Sequence, residues 1–238
     1  MFKAALGLAA GLGAVVALAL NYRRHRIEES QSHRDDQRLF TDRFQSATEQ
    51  LGQSQPAVRL AGVHALARLA DDWFEQRQTC IDVLCAYMRM PPIDSIGRVA
   101  PDLSKGGDGT ATPTELGLTI PPAEREVRQT IVRLIASRLR APGPDRLTIS
   151  WCKHDFDFTG AIFDGVFAFK GARFVDGVVS FDNAKFSRGQ VSFDGARFLG
   201  GIVSFNGATF CGGRVLFGGA KFGRYCCFRG LTVSGVDG

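Results

Sequence analysis

Residues 193–204 read FDGARFLGGIVS, and this twelve-residue pattern occurs five times in succession from residue 169 to residue 228. The other copies are FKGARFVDGVVS (169–180), FDNAKFSRGQVS (181–192), FNGATFCGGRVL (205–216) and FGGAKFGRYCCF (217–228). Phenylalanine occupies the first and sixth positions throughout, and alanine stands two residues before the second phenylalanine. Repetition at a short fixed period is typical of a solenoid, in which each unit buries its apolar face against its neighbours.

The Ala-x-Phe step in each copy has the spacing of a β-strand. In an extended chain, residues i and i+2 point to the same side, so alanine and phenylalanine face inward and the residue between them faces outward. The predicted structural core consists of two phenylalanine columns and one alanine column: Phe169, Phe174, Phe181, Phe186, Phe193, Phe198, Phe205, Phe210, Phe217, Phe222, Ala172, Ala184, Ala196, Ala208 and Ala220.

Glycine columns predict the corners between these strands. The third position of the repeat is Gly171, Asn183, Gly195, Gly207 and Gly219, and a second column is Gly177, Gly189, Gly201 and Gly213. Glycine adopts a left-handed backbone without steric cost, and asparagine is the residue that tolerates it best after glycine. The exception at Asn183 therefore supports a turn at this position.

Two coil lengths fit the repeat. The phenylalanines are separated alternately by five and seven residues, so a coil of four sides would hold 24 residues and would stack Phe169, Phe193 and Phe217 in one ladder. A coil of twelve residues is the alternative, but each coil would then bury only two phenylalanines, an alanine and a valine. So thin an interior is hard to fill at native packing density, and the longer coil is favoured.

These residues resemble the pentapeptide-repeat family, whose five-residue unit has a small residue two positions before a central leucine or phenylalanine. Residues 157–163 (DFTGAIF) and every Ala-x-Phe match that unit. The resemblance implies a right-handed quadrilateral β-helix, which we assign to residues 147–238. The alternating steps of five and seven residues depart from a simple pentapeptide period.

The sequence before the repeat carries a second resemblance. The segments RFQSATEQLG (43–52), AVRLAGVHALARLADDW (57–73), QTCIDVLCAYMRMP (78–91) and EREVRQTIVRLIASRL (124–139) are similar to a group of bacterial membrane-tethered pentapeptide-repeat proteins. Members of that group are mostly uncharacterised. This resemblance therefore implies an architecture and hardly any activity.

The N-terminal residues 1–21 predict a single-pass transmembrane anchor. Residues 4–20 (AALGLAAGLGAVVALAL) contain no charge, and such a run is just long enough to span a bilayer. Arg23, Arg24 and Arg26 follow directly, so we expect the rest of the chain to be cytoplasmic. A cleaved signal peptide is the alternative, although its positive charge would lie on the wrong side of the apolar core.

The anchor and the middle of the chain suggest further organisation. Gly7 and Gly11 form a small-xxx-small pair that could bring two anchors together in a homo-oligomer. Residues 22–92 predict a juxtamembrane helix and a helical hairpin, in which Asp72 and Glu75 form a capping box for the second helix. Residues 93–121, which include SKGGDGTATPT, predict a flexible linker.

Residues 122–141 predict an amphipathic helix with Val127, Ile131 and Ile135 on its apolar face and several arginines elsewhere. A basic amphipathic helix can lie on a membrane or bind a partner. Alternatively, its apolar face packs on the helical hairpin or covers the open first coil of the solenoid. The predicted fold class is therefore α+β multidomain: a transmembrane helix, a small α-helical region and a β-solenoid.

The sequence predicts no catalytic, metal or cofactor site. Cys80 and Cys85 lie about 140° apart around a helix, so they cannot share a ligand with good geometry. Cys152 and His154 alternate on a predicted strand that leads into the solenoid, but two ligands do not form a zinc site. The carboxylates of Asp155 and Asp157 are explained by the start of the solenoid.

The outward residues of the Ala-x-Phe steps form the candidate binding flank, which consists of Arg173, Lys185, Arg197 and Lys221. A coil of 24 residues would align Arg173, Arg197 and Lys221 at strand spacing. The alternative is a solvated basic wall that discourages edge association.

The expected function is that of a non-enzymatic, membrane-tethered interaction or scaffold protein with an unknown protein partner. Binding of nucleic acid or acidic lipid through the flank and the basic helix is the alternative, with nucleic acid disfavoured as a partner; an enzyme is the weakest. Residues 151–238 contain ten basic and seven acidic side chains, which disfavours the DNA mimicry by which some pentapeptide-repeat proteins protect DNA gyrase. The whole chain has a net charge of +5 and is 45% apolar, as expected for a folded protein of one or two domains.

Overall fold

The computed structural model describes residues 35–92, 120–140, 150–212, 214–224, 226–227, 229–230 and 232–234. The predicted anchor and nearly all of the predicted linker lie outside these residues. The chain divides into two compact units, Met1–Gln45 and Ser46–Gly238. Among the helices that the structure describes, none is sufficiently long and apolar to cross a bilayer.

Within the described residues, four α-helices precede the solenoid: α1 (residues 35–51), α2 (Pro56–Asp72), α3 (Arg77–Arg89) and α4 (Pro122–Leu139). Proline stands in the first turn of α2 and of α4, where its missing N–H leaves no helical hydrogen bond unmade. The helices bury Leu66, Leu84 and Ile131 completely. The predicted helical hairpin therefore corresponds to α2 and α3, and the predicted amphipathic helix to α4.

The predicted capping box at Asp72 and Glu75 is wrong. A short 3₁₀-helix (Phe74–Gln76) separates α2 from α3, and α3 begins at Arg77 after Gln76, whose side chain makes no capping hydrogen bond. The buried Arg77 ties this region together instead, because its Nε donates to the carbonyl oxygen of Ala70 at 2.6 Å. Arg77 thereby satisfies a carbonyl at the C-terminal end of α2.

The solenoid consists of short parallel strands. They are β1 (Phe156–Asp157), β2 (Ile162–Ala168), β3 (Arg173–Phe174), β4 (Val178–Ser180), β5 (Lys185–Ser192), β6 (Arg197–Phe198), β7 (Ile202–Ser204), β8 (Thr209–Cys211), β9 (Arg214–Leu216), β10 (Lys221–Phe222), β11 (Cys226–Cys227) and β12 (Thr232–Ser234). Their orders are β1-β4-β7-β11, β3-β6-β10 and β2-β5-β8-β12, with β9 also paired to β5. Strand β5 pairs with β8 through Lys185–Phe186 and with β9 through Gln190–Ser192, so it contributes to two sides of the coil.

The strand register confirms the coil of 24 residues and excludes the coil of twelve. Arg173 pairs with Arg197, which pairs with Lys221, and each step advances the chain by 24 residues. The first coil is one residue shorter at its start, where Phe156 pairs with Val179. A register irregularity between Phe163 and Asp164 accommodates this difference.

Stacked phenylalanines fill the interior. Ring centroids lie 4.8–5.1 Å apart along four ladders: Phe158–Phe181–Phe205, Phe163–Phe186–Phe210, Phe169–Phe193–Phe217 and Phe174–Phe198–Phe222. The predicted core columns are buried from Phe169 to Ala208. The prediction fails in the last coils, where Phe210, Phe217 and Ala220 are only partly buried and Phe222 is 41% exposed. Burial of the predicted core columns thus decreases toward the end of the described solenoid.

The helices cover the first coil. Helix α4 packs on β2 and α3 packs beside β1, while Arg140 bridges to Ala172. The carbonyl oxygen of Cys152 accepts hydrogen bonds from Val175 N and Asp176 N at 2.8 and 3.3 Å. Since an uncovered strand edge invites pairing with another chain, this cover protects the solenoid from edge association. Helix α4 therefore contacts both of the expected neighbours, since it packs on α2 of the hairpin and on β2 of the solenoid.

The corners adopt the predicted left-handed backbone. Asn183 has a φ of 55°, and Gly195 and Gly201 have values of 64° and 69°. The two glycine columns differ in the space around them. A Cβ at Gly195 would meet nothing within 4 Å, whereas a Cβ at Gly201 would lie 1.8 Å from the carbonyl oxygen of Gly177 in the preceding coil.

We expect Gly201→Ala to destabilise the protein by more than about 3 kcal/mol, because the methyl group would force neighbouring coils apart in addition to straining φ. Gly195→Ala is the matched control and should cost about 1–2 kcal/mol, the penalty of the left-handed backbone alone. Urea unfolding followed by circular dichroism measures both. Equal losses for the two variants would contradict the close approach of the coils at Gly201.

Candidate interaction surface

Three basic side chains form a row on the outer face of the sheet β3-β6-β10. Arg173, Arg197 and Lys221 are register partners, as predicted, and we call them the basic ladder. Arg197 and Lys221 are exposed and Arg173 is partly buried. Within the described ranges, no carboxylate forms an ion pair with any of the three, and the Nε of Arg173 is buried without a hydrogen-bond partner. The basic ladder therefore presents positive charge that the described residues do not neutralise.

Lys185 does not belong to the basic ladder. It lies in β5, where it pairs with Ile162 and Thr209, and so it is on a different sheet from Arg173 and Arg197. The twelve-residue repeat places Lys185 in the same column as the ladder residues, but each coil holds two repeats. Successive repeats consequently face different sides of the solenoid.

The arginines of α4 are largely engaged inside the protein. Arg128 Nε donates to Glu124 Oε1 at 2.7 Å, Arg125 lies 3.3 Å from Asp164, and Arg138 Nε donates to Asp71 Oδ1 at 2.8 Å. The sequence suggested that α4 could offer a basic surface. Because these ion pairs neutralise most of the arginines of α4, the helix presents little free positive charge to a partner.

Glu124 is the centre of a buried polar network. Its carboxylate accepts hydrogen bonds from Arg128, from the Tyr87 hydroxyl at 2.8 Å and from Arg59 Nη2 at 3.2 Å. Glu124, Arg59 and Arg128 are each at most 2% exposed. Burial, followed by the charge and the hydrogen bond of Glu124, raises the pKa of Tyr87. The network joins α2, α3 and α4, and Arg128 also donates to the carbonyl oxygen of Met88 at 2.9 Å.

We expect Glu124→Gln to destabilise the protein by about 3–5 kcal/mol, because it leaves Arg59 and Arg128 buried without a counter-charge. Glu126→Gln on the same helix is the matched control. Its ion pair with Arg133 has a separation of 3.7 Å and is more than half exposed, so its loss should change stability by less than about 1 kcal/mol. Urea denaturation of the two variants measures the difference, and similar losses would contradict a stabilising role for the buried network.

Asp164 links α4 to the solenoid. It is 2% exposed and contacts Arg125 of α4 and Arg188 of β5, with a distance of 2.7 Å between Arg188 Nη2 and Asp164 Oδ2. The hydrogen bonding that Arg188 donates to the carboxylate of Asp164 is the main reason that the pKa of Arg188 is raised. Close packing at Gly165 supports the same contact, since a Cβ there would lie 2.6 Å from Gln129 Nε2.

Sequence reasoning missed two columns of short polar side chains that connect successive coils, one through Asp182 and Asn206 and the other through Asp194. Asp182 Oδ1 accepts a hydrogen bond from Asn206 N at 2.7 Å, and Asp194 Oδ1 accepts one from Gly218 N at 2.7 Å. Asn206 repeats the contact with Arg229 N at 3.0 Å. The recurring Ser-Phe-Asp/Asn triplet was the available signal, because short polar side chains cap turns in this way. These side chains are structural.

The residues considered for chemistry have structural contacts. Cys152 and His154 lie in a turn and not on the predicted strand, and His154 Nδ1 is 3.2 Å from Gln78 Oε1. Asp155 accepts a hydrogen bond from Val178 N at 2.6 Å, and Asp157 forms an ion pair with Arg89. Burial raises the pKa of Cys80 to about 12, so its thiol stays protonated at neutral pH. No cluster of possible metal ligands occurs in the part of the chain that the structure describes.

Comparison with known protein families agrees with this solenoid. Residues 158–209 match a family described as pentapeptide repeats (9 copies). These residues are therefore similar to pentapeptide repeats. The matched region contains Arg173 and Arg197 of the basic ladder, whereas Lys221 lies beyond the match. No curated protein and no solved structure matches the chain significantly.

Proposed function

We propose that this protein is a non-catalytic, membrane-tethered interaction or scaffold protein whose pentapeptide-repeat solenoid binds an acidic partner through the basic ladder. The alignment of Arg173, Arg197 and Lys221 carries the proposal. Residues 4–20 would supply the tether, and the solenoid would then be presented to the cytoplasm. The protein carries out no reaction in this proposal.

The energetics of the basic ladder support binding of an anion. Neighbouring strands lie about 4.8 Å apart, and two like charges at that distance repel by about 1 kcal/mol in water before screening. An acidic partner would replace this repulsion with attraction. Long, flexible side chains can also separate in solvent, so the ladder is compatible with a folded solenoid without a ligand.

The register supports a binding surface in preference to a uniformly basic wall. Lys185 and Arg214 are also exposed and basic, but neither belongs to the sheet of the basic ladder. Positive charge is therefore aligned on one side and scattered elsewhere. Proteins use such alignment to select the orientation of a partner and to accelerate encounter.

Nucleic acid is the second candidate for the anionic partner. Three phosphate contacts to duplex DNA would give a slope of only about −2.7 in log affinity against log salt. Since α4 contributes little free charge, this binding would have to come from the exposed basic residues of the solenoid, among which those of the basic ladder are aligned. A bound oligonucleotide with a measurable salt slope would favour nucleic acid over an acidic protein.

We expect Arg173→Glu with Arg197→Glu to abolish capture of the cytoplasmic partner by the full-length protein, because two attractive charges become repulsive. The experiment is quantitative cross-linking and affinity enrichment from membranes. The control is Lys185→Glu with Arg214→Glu, which changes the net charge equally on other sides of the solenoid. Equal loss in both double variants would indicate a nonspecific charge effect, and unchanged capture by the ladder variant would place the binding surface elsewhere.

A further inference from the structure

Three aliphatic side chains are exposed at the corner of the solenoid beside the basic ladder. Val178, Leu199 and Ile202 are 46%, 48% and 49% exposed, and we call them the aliphatic ridge. Val178 pairs in register with Ile202. Leu199 N donates to Phe174 O at 2.8 Å, which places Leu199 one coil after Val175. The repeat therefore stacks these aliphatic residues in columns, just as it stacks its basic residues.

The aliphatic ridge and the basic ladder are adjacent. Arg197 and Leu199 are two residues apart, and the backbone N–H groups of both donate to the preceding coil, so the chain between them is extended. Both side chains therefore point outward, about 7 Å apart. The exposed Lys153 adds a further positive charge to this region. It directly follows Cys152, whose carbonyl oxygen accepts a hydrogen bond from Val175 N, the residue one coil before Leu199. Positive charge thus borders an apolar strip.

Two carboxylates also lie at this corner. Asp155 Oδ1 accepts a hydrogen bond from Val178 N at 2.6 Å, and Asp176 Oδ1 accepts one from Gly177 N at 2.9 Å. Both are thereby held against the backbone of the turn. Lys153 and the three residues of the basic ladder outnumber them, so the region is positively charged overall.

The shape of this region favours a surface over a pocket ligand. A corner of a four-sided coil is convex, and small molecules and most peptides require concave walls that exclude water around them. An anionic bilayer has no such requirement. Aliphatic side chains can enter the boundary between headgroups and acyl chains while lysine and arginine contact the lipid phosphates.

We propose that the basic ladder and the aliphatic ridge form a docking surface for an anionic phospholipid bilayer, against which the solenoid lies. This inference rests on the proposed function and specifies the acidic partner as lipid headgroups. A basic residue close to an anionic membrane contributes about fivefold to partitioning, so three together contribute about 100-fold. Stable membrane association generally requires two signals, and the predicted N-terminal anchor would supply the other.

The test places a fluorescent reporter on the aliphatic ridge of the full-length protein. Leu199→Trp is compared with Val166→Trp, because Val166 is also an exposed aliphatic residue, 63% exposed, but belongs to the sheet of β2 and β5. Each variant is reconstituted into phosphatidylcholine vesicles that contain brominated lipid, with and without phosphatidylserine. The parent protein, whose two tryptophans are Trp73 and Trp151, gives the background.

We expect brominated lipid to quench Leu199→Trp but not Val166→Trp, and only in vesicles that contain phosphatidylserine. Adding Arg173→Glu, Arg197→Glu and Lys221→Glu should reduce the quenching of Leu199→Trp to the level of the control. Ile202→Trp serves as a second reporter if Leu199→Trp folds poorly. Equal quenching at both positions, no quenching at the ridge, or quenching independent of phosphatidylserine would overturn the lipid inference.

A parallel assay separates this inference from the proposed function. Soluble poly-glutamate serves as an acidic polypeptide, and its binding to the protein is measured with and without the three charge reversals. Binding that depends on the basic ladder, together with no lipid quenching, would reject the bilayer and retain an acidic protein partner. The absence of both signals would reject the ladder as a binding surface altogether.

Discussion

The stacking of phenylalanine rings between coils is the interaction on which the structure depends. Parallel strands lie about 4.8 Å apart, which is close to the preferred separation of offset aromatic rings. The ring distances of 4.8–5.1 Å show that backbone pairing and side-chain stacking are satisfied by one geometry. A shift in register would break both at once. The coil length and the order of the outer columns follow from this constraint.

The same register organises the surface. Because Phe174 stacks on Phe198 and Phe198 on Phe222, the residues before them are also superposed, and these are the members of the basic ladder. The inward and outward columns cannot be shifted independently, since they alternate along the same strands. A row of like charges is thus a direct consequence of the core. Its electrostatic cost is small enough for the aromatic interior to offset.

The helical region covers the edge of the first coil, which would otherwise be exposed. Helix α4 lies between the hairpin and the solenoid, and it uses charged as well as apolar side chains to do so. Asp164 joins it to the solenoid, and Glu124 joins it to α2 and α3. Removing one member of such a buried network leaves an uncompensated charge. The arginines of α4 therefore stabilise the packing of this helix on the hairpin and the solenoid, and they add little to the surface charge.

The sequence by itself determined the strands and the corners, because both depend on local chemistry that recurs at a fixed period. It favoured the coil of 24 residues, and the strand register of the folded protein then excluded the coil of twelve. Asn183 confirms this at the level of one residue, since a left-handed backbone was expected there and its φ is 55°. Only the tertiary structure decided which charged side chains are paired inside the protein and which are free to contact a partner. Tyr87 and Glu124 are 37 residues apart, and Asp71 and Arg138 are 67 apart, so no local pattern reveals that they pair. Lys185 is excluded from the basic ladder by the coil length, because two repeats fold into each coil and successive repeats face different sides.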